Sequence, residues 1–217
     1  AISDNVLKMF MQQAKQRYGT ADIIIHENKK SPTPFMHTHG AQTIQHRTEY
    51  ITSAAQNSGF YSHGRDEKVT FDIKGISLED LQLLNPIILA QETQLHPFSG
   101  HKIIISKRTS EKYGLKLGDA IDLDINMIRH KFRIFGIAQP SGFFLEGGQQ
   151  TNAVIPRETM ASIYNSPGNA NIIYIKLKNI DEKDQVISEL SNVYKRYTVR
   201  EPVSEEEMHH ETSVMSI

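Results

Sequence analysis

The stretch IISKRTSEKYGLKLGDAIDLDI at residues 104–125, followed by HKFRIFGIA at residues 130–138, decides the fold of the centre of the chain. It predicts the end of a strand, a short helix, a tight turn and two strands that pair with each other. Gly118 can adopt the positive φ that the turn requires, and the Asp119 carboxylate can accept hydrogen bonds from nearby backbone amides. This pattern is typical of a β-corner, and none of its residues indicates catalysis.

The acidic side chains of the first paired strand have a structural explanation. Asp122 and Asp124 alternate with Ile121 and Leu123, so the carboxylates lie on the face opposite the apolar residues, toward solvent. Paired carboxylates catalyse glycoside hydrolysis, but an exposed polar strand face accounts for this pair.

The remainder of the central region is also rich in predicted strands. Ser77 and Asp80 form a capping-box pattern that predicts a short helix. Further strands are expected at residues 103–105 and 152–155. Pro156 has the fixed φ that suits the first position of a helix, so a helix is expected to follow.

The N-terminal part of the chain mixes helices and strands. A first helix, ending near Gly19, is predicted by an apolar stripe at Ile2, Val6, Phe10 and Ala14. The strand at residues 21–26 contains three consecutive isoleucines, which is typical of burial on both faces. The next predicted segments are a loop at 29–40, a helix at 43–57, a turn-rich stretch at 58–68 and a half-exposed strand, in which Val69, Phe71 and Ile73 alternate with Thr70, Asp72 and Lys74.

The C-terminal part repeats the order strand, helix, strand. Strands are predicted at residues 172–177 and 197–200, with a helix capped by Asp181 between them. Two such units at the ends of one chain predict an α+β fold with a ferredoxin-like split βαβ layer. That layer would be discontinuous, formed by residues 1–76 and 170–217, with a β-rich insertion at residues 77–169.

Composition excludes several classes of function. The 217 residues include 24 Lys and Arg against 25 Asp and Glu, a formal net charge of -1. The chain therefore lacks the basic surface that nucleic-acid binding requires. It also has no cysteine, which removes disulfides, thiolate catalysis and cysteine-based metal sites.

No stretch of the sequence reaches the roughly 18 to 20 apolar residues that a membrane-spanning helix needs, and the N-terminus lacks the plan of a signal peptide. The sequence starts at Ala1 and opens directly into a helical pattern. We therefore expect a piece of a longer protein whose membrane segments lie outside it.

Ten histidines raise the question of a metal site. His37 and His39 could reach one ion from an extended loop only if further ligands joined them, and His209 with His210 follow three glutamates near the C-terminus. A polar loop explains the first pair, and a solvated connector explains the second. No Gly-x-Ser-x-Gly motif and no Ser-His-acid group is present. We expect no catalytic residue, no metal and no cofactor.

The best candidate for a partner contact is the apolar triplet Phe143, Phe144 and Leu145, which glycines flank. Three consecutive apolar side chains in a loop either pack into the core or project as a contact patch.

The ordered pattern from the middle of the chain onward resembles the extracytoplasmic domains of MacB/FtsX-like ABC-transporter permeases. The residues that carry this resemblance are Ile105, Ser106, the run at 113–119, Ile121, Leu123 and the run at 132–137. A variable Gly-rich loop at 141–150, a strand-helix junction at 154–160 and the strand at 172–177 continue it. The first third of the chain fits by the order of its elements.

The resemblance implies a porter-like α/β lobe built from both chain ends and an inserted, β-rich Sabre-like lobe. Both ends would join transmembrane helices of a permease in the cell membrane, with this domain facing the periplasm or the cell exterior. ATP would be hydrolysed by a separate or fused cytoplasmic subunit. Expected partners are those membrane helices, that ATPase, a second permease copy or relative, and an adaptor protein.

The function that this implies is transmission of ATP-driven motion, with contacts to cargo or partners, during export of a peptide, lipid or drug. The alternative is an extracellular module that senses a ligand such as an antimicrobial peptide, which needs a concave pocket with convergent polar groups. A histidine-based metal hydrolase is a third reading, disfavoured by the missing ligand spacing.

Overall fold

The computed structural model describes residues 3–203 and shows a mixed α+β fold. The α-helices of this part are α1 (Asp4–Tyr18), α2 (Leu78–Leu84), α3 (Lys107–Tyr113), α4 (Arg157–Ile163) and α5 (Lys183–Val193). The strands are β1 (Ile23–Glu27), β2 (Thr48–His63), β3 (Glu67–Gly75), β4 (Lys102–Ser106), β5 (Ala120–Ile125), β6 (Ile128–Ala138), β7 (Asn152–Ile155), β8 (Ile172–Leu177) and β9 (Tyr197–Arg200). Short 3-10 helices lie at His39–Arg47, Gly142–Phe144 and Ile180–Glu182.

Helix α1 ends where the sequence predicts. Gly19 has a φ of 61°, and its N–H donates to the Lys15 carbonyl over 2.8 Å. A Cβ atom at this position would lie 1.9 Å from the carbonyl oxygen of Leu84. Both the backbone angle and the close approach of α2 therefore require glycine. In the described chain no helix has the length and apolar character needed to cross a membrane.

Four strands form an antiparallel sheet in the order β2–β8–β1–β9. Ile23 and Ile25 of β1 face the side covered by α5, whereas Ile24 faces the opposite side and packs with α2. All three isoleucines are fully buried. The prediction that β1 is buried on both faces is confirmed, because helices cover one face and the rest of the domain covers the other.

Six strands close into a barrel-like sheet in the order β2–β5–β6–β4–β7–β3, and β3 pairs with β2 to complete the ring. Its core contains large buried side chains, among them Phe71, Ile73, Leu123, Ile125, Phe132 and Ile134. Removal of this apolar surface from water stabilises the closed sheet. The predicted pairing of β5 with β6 is confirmed.

Strand β2 belongs to both sheets. Its residues 48–54 pair with β8, and its residues 55–63 pair with β3. The predicted helix at 43–57 is therefore wrong beyond residue 47, and most of the predicted turn-rich stretch at 58–68 is strand. Partners that lie far away in the sequence satisfy the backbone of this segment and override its weak local preference.

The strand pairings also assign residues to the two sheets. Residues 55–75, which we placed with the chain ends, pair within the barrel-like sheet. This occurs because the β2–β3 hairpin continues out of the four-stranded sheet. The domain limits at residues 76 and 170 stay predictions, but the barrel-like sheet begins well before the first of them.

Several predicted turns and caps are confirmed. Ser77 Oγ accepts a hydrogen bond from the Asp80 N–H over 3.2 Å at the start of α2, and Gly118 has a φ of 87°. Asp124 pairs with Arg129 at the surface, in agreement with its predicted exposure. The cap before α5 differs from the prediction: the Asn179 side chain accepts from the Asp181 N–H over 3.0 Å, so a 3-10 turn precedes the helix.

A third apolar cluster fills the space between the two sheets. It combines Leu81 and Leu84 of α2 with residues on the outer surface of the barrel-like sheet and with the inner face of the four-stranded sheet, namely Ile104, Val154, Phe144, Tyr50 and Tyr174. This cluster fixes the two sheets against each other and against the end of α1.

Candidate functional site

One lysine is fully enclosed where α1 meets the two sheets. Lys74, near the end of β3, is 2% exposed. Its Nζ donates to the carbonyl oxygen of Arg17 over 3.2 Å and lies 4.6 Å and 5.2 Å from the ring centres of Phe143 and Tyr174. We call this place, with Arg17, Lys74, Asn85, Phe143 and Tyr174, the junction.

The environment of the junction disfavours a charged lysine. Burial, followed by the like charge of Arg17, lowers the pKa of Lys74 to about 7, because a charged ammonium group loses its hydration inside the protein. The faces of the two aromatic rings and one carbonyl oxygen provide partial compensation. Strand alternation predicts Lys74 on an exposed face with Thr70 and Asp72, and this is wrong. The outer surface of the barrel-like sheet is covered at that point by the end of α1 and by Tyr174.

Side-chain and backbone donors hold the last turn of α1 in place. Asn85 Nδ2 donates to the Gln16 carbonyl over 2.8 Å, and the Thr20 N–H donates to the Leu84 carbonyl over 3.0 Å. The final carbonyl groups of a helix have no partner within the helix. Lys74 and Asn85 therefore bind the end of α1 to β3 and to the end of α2.

The Gly-flanked loop after β6 also contacts α1. Gln16 Nε2 donates to the Leu145 carbonyl and lies 3.3 Å from Gln150 Oε1. Phe143 and Phe144 are 8% and 1% exposed, whereas Leu145 is 39% exposed. The two rings pack into the core between the sheets and do not project as a contact patch, because the 3-10 turn at Gly142–Phe144 directs them inward. Of the predicted contact residues, Leu145 alone presents substantial surface.

The last strand of the described chain reaches the same end of α1. Arg200 Nη2 donates to the Tyr18 hydroxyl over 3.2 Å, and the guanidinium carbon lies 5.6 Å from the centre of the Tyr18 ring. Arg200 Nε lies 2.9 Å from His26 Nε2 on β1. Tyr18 ends α1 and Arg200 ends β9. The two outermost elements are thus held beside each other.

The histidines of the described part of the chain lie at several separate places. His37 and His39 stack with ring centres 4.1 Å apart, and burial together with His39 lowers the pKa of His37. Within residues 3–203, no three His, Asp or Glu side chains are grouped so that they could hold a metal ion. The pair His209 and His210 lies outside the described residues.

Lys74, Asn85, Tyr18 and Arg200 were not among the residues singled out from the sequence. Their partners lie between 57 and 182 positions away, and no local motif marks them. Together they can transmit a displacement of α1 to both sheets, since hydrogen bonds and buried side chains connect the helix to each.

The family model described as MacB-like periplasmic core domain matches residues 1–193. The chain belongs to this family. This MacB-like domain is thus the periplasmic or extracellular domain of a membrane permease, and the resemblance seen in the sequence is confirmed. No sequence among the curated proteins matches the chain.

Solved structures share the fold of this MacB-like domain at low sequence identity. The periplasmic region of MacB from Actinobacillus actinomycetemcomitans has a TM-score of 0.59 and 12% identity, with 96% of this chain and 99% of that chain covered. The extracellular domain of the ABC-type transporter YknZ from Gram-positive bacteria gives 0.55 and 13%, covering 83% and 98%. A domain assigned to a permease of Porphyromonas gingivalis gives 0.52 and 14%, covering 85% and 89%.

Proposed function

We propose that this MacB-like domain transmits ATP-driven motion of an ABC-transporter permease to the outside of the membrane during export of a peptide, lipid or drug. The observation that carries the proposal is the attachment of both outermost elements, α1 and β9, to one another through Tyr18 and Arg200. Motion arriving at either end would move the whole domain, because Lys74 connects α1 to the barrel-like sheet and Arg200 connects it to the four-stranded sheet.

The two sheets correspond in this proposal to two lobes. The four-stranded sheet, with its order β2–β8–β1–β9, has the arrangement of a ferredoxin-like split βαβ unit and serves as the porter-like lobe. The barrel-like sheet serves as the inserted Sabre-like lobe. The pairings of β2 and β3 support placing residues 55–75 in the second lobe.

The partners follow from this role. Transmembrane helices of the permease would adjoin both ends of the domain, a cytoplasmic ATPase subunit would hydrolyse ATP, and a second permease copy or relative would supply a facing domain. An adaptor protein is a further expected partner, and the exposed Leu145 is the remaining candidate from the predicted contact triplet. In this proposal the role of the domain is mechanical: it acts by moving, and it catalyses no reaction.

The full permease, reconstituted with its ATPase in lipid vesicles, tests this role. Spin labels at position 92, on the exposed Glu92, report the distance between the domains of two copies with and without trapped ATP. We expect ATP to change that distance in the unaltered permease. In an Arg200→Gln variant the change should shrink while ATP hydrolysis continues.

Arg129→Gln provides the matched control, since it breaks an exposed ion pair on the barrel-like sheet that is remote from the junction. It should leave the distance change intact. An unaltered permease whose two domains keep the same distance throughout ATP hydrolysis would refute the proposal.

A further inference from the structure

A groove of about 360 Å³ lies beside the first half of β2. Its walls come from the 3-10 helix His39–Arg47, from α2 and from α4, and it is lined mainly by polar groups that include Gln42, Gln45, Thr52, Asp80 and Arg157. The volume falls at the lower end of the range of ligand sites. The groove is separate from the junction and from the predicted contact triplet.

Within residues 3–203, one edge of β2 has no partner strand in this groove. Residues 48–54 pair with β8 on one side, and in the described chain β3 pairs with β2 only from residue 55 onward. Gln56 exchanges both backbone hydrogen bonds with the Asn171 side chain, on the β8 side. Backbone groups alternate between the two sides of a strand, so those of Ile51 and Ser53 point into the groove.

Asp80 agrees with this direction, because the backbone of Ser53 lies close enough to its carboxyl group to lower the pKa of that group. Among residues 3–203, no strand lies opposite the backbone groups of Ile51, two residues earlier. Thr52 Oγ1, in the wall of the groove, is buried without a hydrogen-bond partner in the described part of the chain. An unpaired buried hydroxyl is costly, so the groove contains one polar group that the described residues leave without a partner.

The charged side chains of the groove favour a ligand with a positive charge. Arg157 Nη1 donates to Ser53 Oγ over 2.5 Å, and Arg157 Nη2 pairs with Glu158 over 3.0 Å. Its positive charge thus interacts with Glu158 at the rim and with Asp80 inside the groove. Asp80 and the exposed Glu49 add two negative charges. Burial raises the pKa of the Asp80 carboxyl group, and the nearby Arg157 acts in the opposite direction without cancelling this rise. With one Arg against Asp80, Glu49 and Glu158, the groove keeps an excess of negative charge.

We propose that this groove binds a free, extended peptide that carries a Lys or Arg side chain. The peptide adds as a short strand to the edge of β2 at Ile51, and its cation interacts with Asp80 and Glu49. Strand addition supplies affinity through main-chain hydrogen bonds, and a four-residue strand is about 13 Å long. This inference goes beyond the coupling role, since it requires neither ATP nor the membrane helices.

Nitrogen-15 NMR of the 217-residue chain tests the inference directly. The probe is a capped hexapeptide in which lysine alternates with threonine and valine. We expect shifted amide signals and slowed hydrogen exchange at residues 49–53. An analogue with glutamate in place of lysine, and one with N-methyl groups on alternate amides, should each bind roughly tenfold more weakly, which corresponds to the loss of one or two main-chain or charged contacts.

Two variants of groove residues distinguish peptide binding in the groove from binding elsewhere on the surface. Asp80→Asn and Glu49→Gln should each weaken binding of the lysine peptide about threefold to tenfold, whereas Asp72→Asn, on an exposed position of β3, should have no effect. Equal binding of the N-methylated peptide would overturn strand addition. Protection of the Ile51 amide that rises with protein concentration in the absence of peptide would identify a second copy as the occupant and also overturn the proposal.

Discussion

Arg200 donates a hydrogen bond from Nη2 to the hydroxyl of Tyr18 over 3.2 Å, although 182 positions separate the two residues in the sequence. Tyr18 is the last residue of α1, and Arg200 is the last residue of β9. Arg200 also contacts His26 of β1. The bond therefore ties the outermost helix to the edge of the four-stranded sheet.

Removing this bond should cost stability. Tyr18→Phe keeps the ring and deletes the hydroxyl, so we expect the free energy of unfolding to fall by about 0.5–1.5 kcal/mol. Arg200→Gln should cost more, since it also removes the contact with His26. The double variant should lose less than the sum, because the two residues interact. Urea denaturation measures all three, and strictly additive losses would show that the two side chains are uncoupled.

The control for loss of a tyrosine hydroxyl is Tyr113→Phe, which removes a hydroxyl that lies 3.5 Å from Glu67 Oε1.

Lys74 should make stability depend on pH in a defined window. Its pKa is about 7 in the folded protein and about 10.4 in an unfolded chain. Between these values the unfolded state binds more protons, so stability rises with pH by about 1.4 kcal/mol per unit. Below pH 7 Lys74 is protonated in both the folded and the unfolded state, so it no longer makes stability change with pH.

Lys74→Met tests the window, because methionine fills similar space without a charge. The unfolding free energy of the unaltered chain, relative to that of the variant, should increase between about pH 7 and pH 10 and stay flat below pH 7. Near pH 6 the variant should be as stable as the unaltered chain or more so, since replacement of a buried charge by an apolar group is often favourable. A difference that does not change from pH 6 to pH 10 would mean that Lys74 is hydrated.

Two glycines with similar φ values should differ in how much an alanine substitution costs. Gly19 and Gly64 have φ values of 61° and 67°, but a Cβ meets the Leu84 carbonyl at Gly19 and nothing within 4 Å at Gly64. Gly64→Ala should cost about 1 kcal/mol from the angle alone. Gly19→Ala should cost more than Gly64→Ala, because the ψ of -133° at Gly19 lies outside the left-handed helical region and because its Cβ would meet the Leu84 carbonyl. Thermal or urea unfolding measures both losses. Equal losses would mean that α1 and α2 are not in close contact.

Residues of the predicted contact triplet should differ in how much they contribute to stability, because they differ in burial. Phe144→Ala should lower the free energy of unfolding by about 3–5 kcal/mol, because it leaves a cavity between the two sheets. Leu145→Ala should cost less than about 1 kcal/mol, since its side chain is partly exposed. Similar losses for both would contradict the inward position of Phe144.

Local patterns were sufficient for much of this fold. The apolar stripe and Gly19 define α1, the isoleucine run defines β1, and the turn at Gly118 pairs β5 with β6. In each case the signal lies within about 20 residues, where helix period, strand alternation and turn chemistry act.

The errors arose where distant partners decide the structure. Residues 48–57 lack a strong local preference and become strand because β8 and β3 pair with them. Lys74 alternates like an exposed residue, yet α1 and Tyr174 cover it. The bond between Tyr18 and Arg200 joins opposite ends of the described chain. No pattern within one segment reports such contacts, so the junction could not be predicted from the sequence.

In the proposed role, α1 and both sheets move as one unit while the permease uses ATP. Spin labels at positions 15 and 122 of one copy, on the surfaces of α1 and of the barrel-like sheet, measure this in the full permease with its ATPase. We expect the distance between positions 15 and 122 to stay constant through the ATP cycle while the distance between the domains of two copies changes. A change between positions 15 and 122 as large as the change between copies would contradict it.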